Sequence, residues 1–107
     1  NILSSLVNYI NNPEKEKKYY LKINSIESRN VTSKDTKGDP KTFRIEIRTM
    51  IEVSNINNEI YKKDFIEKKN YNTMSSKFDL GLYENNIRKD LASIIARNIS
   101  IYLSSLN

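Results

Sequence analysis

Six cations are the groups in this sequence best placed to do chemistry: Arg44, Arg48, Lys62, Lys63, Lys68 and Lys69. Arginine offers a flat fork of donors and lysine a point charge, and both geometries hold phosphate oxygens. Arg44 and Arg48 fall on the polar side of one strand-like run. The two lysine pairs straddle the next, so neighbouring strands could gather all six into one anion-binding patch. Glu46, Asp64 and Glu67 are interspersed among them. The same residues therefore also describe a sheet face kept soluble by mixed charge, and the sequence leaves both readings open.

Little other chemistry is available. The 107 residues contain neither histidine nor cysteine, which removes the usual general base near neutral pH, thiolate catalysis, disulfides and cysteine metal sites. There is no Gly-rich phosphate loop and no nucleophile elbow. Glu14 and Glu16 lie in a lysine-rich run, and Glu46 and Glu52 share a polar face with arginines, so they read as solvated or paired rather than catalytic. Asp35 and Asp39 lack the spacing of a calcium loop. No enzyme, metal or cofactor is expected.

Asn, Ile and Lys are heavily used, while Gly and Pro occur twice each. That points to continuous elements with few tight breaks, and it lowers the information in any single lysine. The net charge of +5 favours an acidic partner such as a nucleic acid, an anionic membrane surface or a phosphorylated lipid, or simply serves solubility. No apolar run is long enough to span a bilayer. The chain begins at Asn1 rather than Met, which reads as a piece of a longer protein with any targeting segment upstream.

These side chains need elements to carry them. Ile2, Leu3, Leu6, Val7 and Ile10 form one helical stripe, halted at Asn11-Asn12-Pro13. Tyr19 to Val31 reads as a strand whose apolar phase shifts at Ile26, suggesting a bulge or bend there. Ser33 to Lys41 is the clearest turn. Thr42 to Ser54 is the best strand, with Phe43, Ile45, Ile47, Ile51 and Val53 alternating against Arg44, Glu46, Arg48 and Glu52. Asn55 to Asn58 suits a hairpin, and Glu59 to Tyr71 is a third strand with apolar residues on both faces.

From Tyr71 to Leu106 a polar turn leads into a long helical pattern. Ser76-Lys77-Phe78-Asp79 fits a capping box at its start. Leu80, Tyr83, Ile87, Leu91, Ile94, Ile95, Ile101 and Tyr102 fall on one arc, with Asn98 near its centre. The expected fold is α+β, a single-domain two-layer sandwich over residues 1–107 in the order helix-strand-strand-strand-helix, an antiparallel meander sheet with both helices on one face.

This order of features resembles the LPS-assembly lipoprotein (LptE-like) family of Gram-negative outer membranes, in its divergent alphaproteobacterial form. The resemblance is carried by the helix Ile2 to Ile10, the Y-L-K-I strand at Tyr20 to Ile23, and the long strand and turn from Arg44 to Asn58. It continues with N-Y-N at Asn70 to Asn72, S-K-F at Ser76 to Phe78, and the closing helix R-K-D-L-A-S-I-I-A-R-N-I-S-I-Y-L from Arg88 to Leu103. It implies a non-enzymatic domain, held by an N-terminal lipid at the periplasmic face of the outer membrane. Such a domain plugs an LptD-like β-barrel and binds lipopolysaccharide. The family's signal, lipidated cysteine and first strand have no counterpart in these residues. On this view Arg44, Arg48, Lys62, Lys63, Lys68 and Lys69 would meet lipopolysaccharide phosphates, a choice made on charge alone.

The rival expectations are a double-stranded-RNA-binding module, which shares the element order, and a generic periplasmic interaction domain. The RNA-binding module places several lysines at the start of its last helix to grip phosphates across a groove. Here that position holds one lysine and an acid, at Lys77 and Asp79. Nucleic acid is therefore not expected as a partner.

Overall fold

The computed structural model describes residues 19–106. The helix expected at Ile2 to Ile10 lies outside them. The described elements are β1 (Tyr19–Lys34), β2 (Pro40–Asn55), β3 (Ile60–Asn72) and α1 (Lys77–Ser105). The sheet is antiparallel in the order β1-β2-β3, and α1 lies along one face of it. The expected α+β meander is therefore the observed architecture.

Both hairpins are closed by the same local device. Asp35 Oδ1 accepts from the backbone N–H groups of Lys37 and Asp39 at 2.9 Å each. Asn55 Oδ1 accepts from those of Asn57 and Glu59 at 3.0 Å each. Short side chains of this kind mimic a backbone turn. The left-handed residues that complete the turns are Gly38 (φ 87°) and Asn58 (φ 62°), residue types that tolerate that conformation.

Strand alternation divides the sheet into two unlike faces. Phe43, Ile45, Ile47, Thr49, Ile51 and Val53 of β2 all point towards α1 and are buried. Their register partners on β1 include Leu21 and Ile23, and on β3 Tyr61, Phe65 and Tyr71. Ile45 and Val53 from the sheet and Ile95 and Ile99 from the helix have no solvent exposure. The residues of the opposite face project away from the helix.

The expected break at Ile26 does not occur. β1 and β2 pair without interruption from Tyr19 to Val31, and the irregularity falls later, between Val31 and Lys34. There Thr32 and Ser33 both hydrogen-bond the Thr42 hydroxyl at 2.6 Å. The apparent phase shift has another cause: the inward positions of β1 become polar at Ser25, Glu27 and Arg29 while the backbone stays regular. Ile26 is simply an exposed residue on the outer face.

Ser76 caps α1, its hydroxyl accepting from Asp79 N–H at 3.1 Å. The buried stripe runs through Leu80, Glu84, Ile87, Leu91, Ile95, Ala96, Ile99 and Leu103. Much of it follows an i, i+4 row, which is inclined to the helix axis. A fixed 100° wheel cannot follow such a drift. Consequently Ile101, expected inside, is 62% exposed, and Asn98 sits half-buried beside the seam.

Two substitutions test this packing by thermal and denaturant unfolding. Ile95→Ala should cost about 2–5 kcal/mol, the range for emptying a well-packed aliphatic site. Gly81→Ala should add roughly 0.5–1 kcal/mol, because Gly weakens a helix interior and an added Cβ here meets nothing within 4 Å.

Candidate functional site

The face of the sheet turned away from α1 is built from rows of three residues, one from each strand. Successive rows include Lys22-Glu52-Lys62, Asn24-Met50-Asp64, Ile26-Arg48-Ile66, Ser28-Glu46-Lys68 and Asn30-Arg44-Asn70. Arg44, Arg48, Lys62 and Lys68 therefore share this open face. Lys63 and Lys69 do not: they oppose Ile51 and Ile45 on the helix side. Adjacent residues of a strand must point to opposite faces, so the lysine pairs 62/63 and 68/69 cannot each lie on one surface. Lys63 instead sits over the Tyr102 ring, its Nζ 5.4 Å from the centroid, within cation–π range.

The open-face cations differ in how they are held. Arg48 donates to Asp64 Oδ2 at 2.8 Å, and Arg44 Nε donates to Asn70 Oδ1 at 2.8 Å. Lys22 and Lys62 flank Glu52 at 3.6 and 3.7 Å, each on a different carboxylate oxygen. Lys68 has no ion pair among the described residues. Exposed pairs of this kind are worth about 0–1 kcal/mol, so an incoming phosphate competes with weak partners. Exposed Tyr20, Ile26, Ile60 and Ile66 lie on the same face. Apolar contact area and fixed cations thus alternate along one surface, an arrangement suited to a ligand with both phosphate and apolar parts.

A second polar constellation lies beneath α1, centred on the buried Glu84 and Tyr71 and reaching the exposed Arg29. The Glu84 carboxylate accepts from the Tyr71 hydroxyl and, at 2.6 Å, from Arg29 Nε. The Arg29 guanidinium lies 4.2 Å from the Phe43 ring centroid, and Phe43 stacks on Tyr71. One turn along the helix, Arg88 Nε donates to Glu27 Oε2 at 3.0 Å. Burial pushes the Glu84 carboxyl upward, but the hydrogen bonds from Tyr71 and Arg29 outweigh it and hold the group below the usual glutamate value. Burial, reinforced by the bond to Glu84, pushes Tyr71 up to about 12.

None of these residues was among the expected site residues, yet signals for them existed. Glu84 is spaced four from Leu80 and three from Ile87, which places a carboxylate on the apolar stripe. Arg29 continues the inward phase of Leu21 and Ile23. Glu84 is engaged by Tyr71 and Arg29 together. Among the described residues no cluster of three or more acidic, histidine or cysteine side chains could hold a metal, and no helix is long and apolar enough to cross a membrane.

Among the described residues, one helix packs on a long three-stranded meander whose far face is open and basic, and this defines the structural class. No protein-family model matches the sequence, and no curated protein matches it. In three dimensions the chain is similar to the rare lipoprotein B from Shewanella oneidensis, with a TM-score of 0.75. The superposition covers 82% of this chain and 68% of that one at 12% sequence identity. A likeness at that identity is one of fold.

The buried cluster has a defined pH signature. A depressed Glu84 contributes stability that is fully present above the ordinary glutamate value of about 4.3 and is lost as pH falls through its lower folded-state value. The raised Tyr71 contributes stability that is present below its ordinary value of about 10 and is lost as pH rises through about 12. Unfolding free energy measured against pH should therefore fall at both extremes. In Glu84→Gln the acid limb should flatten. An acid limb identical to wild type would show that other carboxylates carry it.

Proposed function

We propose that this chain is a non-enzymatic scaffold of lipopolysaccharide assembly at the outer membrane. In this reading it belongs at the periplasmic side, tethered by an N-terminal lipid outside these residues, and seats in an LptD-like β-barrel. It holds lipopolysaccharide phosphates on the open sheet face. The observation that carries the proposal is the fold likeness to rare lipoprotein B, which concerns shape and is independent of the sequence features that resemble the LPS-assembly lipoproteins.

The chemistry of the open face supports the ligand class. Arg44, Arg48, Lys62 and Lys68 lie among exposed apolar side chains, matching a molecule that combines phosphates with acyl chains. Lys63 and Lys69, on the far side of β3, would contribute long-range charge rather than direct contact. The non-enzymatic character rests on the lack of histidine and cysteine and on Glu84 being committed to Tyr71 and Arg29.

The test combines co-purification of the full-length protein with its outer-membrane β-barrel and a lipopolysaccharide pull-down. Both should succeed. Failure of both, together with salt-sensitive binding to duplex RNA, would replace this reading with the nucleic-acid one. Within the pull-down, joint charge reversal of Arg48, Lys62 and Lys68 should weaken binding at low salt by about tenfold or more, at roughly 1 kcal/mol per basic residue near an anionic surface. Reversal of Lys63 and Lys69 should weaken it less. Equal effects from the two sets would show that the face carries no specific contact.

A further inference from the structure

We infer that the outer edge of β1 is a self-pairing surface, to which a second copy of this chain adds its own β1 antiparallel about a two-fold axis at Ser28. Among the described residues no strand pairs with this edge. An open edge presents a row of unpaired N–H and C=O groups, a template for strand addition. β1 offers that row without a break: its pairing with β2 is regular from Tyr19 to Val31, and the strand contains neither Gly nor Pro.

The two edges of the sheet are guarded differently. β3 carries Lys62, Lys63, Asp64, Glu67, Lys68 and Lys69, the dense lysine charge that keeps edges from pairing. The stretch of β1 from Ile23 to Val31 carries only Glu27 and Arg29, and their charges cancel. Charges on the inward side of an edge strand ordinarily also oppose pairing. These two have opposite signs and lie two residues apart, so an axis through Ser28 sets each Glu27 opposite Arg29 of the other copy. Both side chains reach solvent, at 46% and 40% exposure. Within one chain Glu27 accepts from Arg88, and Arg29 donates to Glu84. Pairing therefore links Arg88 and Glu27 of one copy to Arg29 and Glu84 of the other in a ladder of alternating charge, formed twice. Cross-strand pairs of opposite charge stabilise a sheet, and like charges directly opposed destabilise it. The like charges that this register opposes within β1, Lys22 and Lys34, fall at its ends, where the backbone is already irregular after Val31.

The register also sets the shape of the dimer. Opposed residues of antiparallel strands share a face, and residues 27 and 29 lie on the same face of β1. Both helices then lie on one side, and the two open faces merge into one surface carrying Arg44, Arg48, Lys62 and Lys68 of each copy. The free edges of the merged sheet are the two lysine-rich β3 strands, which closes the assembly at two copies.

Sedimentation equilibrium of the full-length chain at low salt, followed into the high-micromolar range, tests the pairing. The wild type should pass from monomer to dimer. Ser28→Lys opposes two lysines at the axis and Ser28→Glu two glutamates. Each should weaken the dimer about fivefold, the scale of one cross-strand pair. An equimolar mixture of the two variants should recover the lost affinity, because lysine then faces glutamate, and recovery also shows that both variants fold. A wild type that stays monomeric throughout would overturn the inference. So would undiminished association of either variant, or a mixture that associates no more tightly than its components. The measurement contains neither lipopolysaccharide nor a barrel, so the pairing and the ligand reading succeed or fail separately.

Discussion

The structure depends on one contact: the inward face of β2 pressed along the buried stripe of α1. A three-stranded sheet has only one central strand, so β2 alone is flanked on both edges and roofed by a helix. Six consecutive inward positions of that strand, Phe43 to Val53, are buried. β1 and β3 are both edges, stabilised chiefly through their registers with β2. Loss of the helix would expose the whole of this stripe, and a three-stranded sheet whose apolar face is unpacked has little independent stability in water. The long closing helix is thus a structural requirement of the sheet.

A carboxylate inside such a seam carries a desolvation cost, and the fold offsets it by converging three elements on it. Glu84 comes from α1, Tyr71 from β3 and Arg29 from β1. Hydrophobic packing is tolerant of small slides along or around a helix, whereas a buried carboxylate has few acceptable positions. The cluster therefore fixes the helix against both edge strands at the β1–β2 hairpin end of the molecule. It also orients Tyr71, whose ring stacks on Phe43.

Much of the architecture was legible in the residues. Period-two alternation in β2 located the core strand to within two residues at either end, because one of its faces is apolar at every position but Thr49. The Ser76 cap and both hairpin turns were legible for equally local reasons. The polar stretch on the helix side of β1 was not. Ser25, Glu27 and Arg29 look like a loss of phase when only apolar residues are counted, whereas they face Thr49, Arg88 and Glu84 across distances of 24 to 61 residues. Periodicity reports the side a residue faces only when that side is uniformly apolar. The six-cation patch failed in part for a simpler reason: charge clustering in sequence ignores the pleat, which sent Lys63 and Lys69 to the other surface.

The described residues measure 59 × 22 × 16 Å along their principal axes. Its interior is accordingly a line of side chains rather than a ball, each row touching mainly the rows before and after it. Cohesion in such a plank accumulates row by row, as in a zipper. The two ends can loosen independently of each other and of the middle. The hairpin end, closed by the Glu84 cluster, is clasped by charge and hydrogen bonds. At the opposite end the roof and β1 meet through the Tyr19 hydroxyl and the Leu106 carbonyl at 3.0 Å. Acid should therefore unzip the plank from the clasped end first, leaving the other end paired.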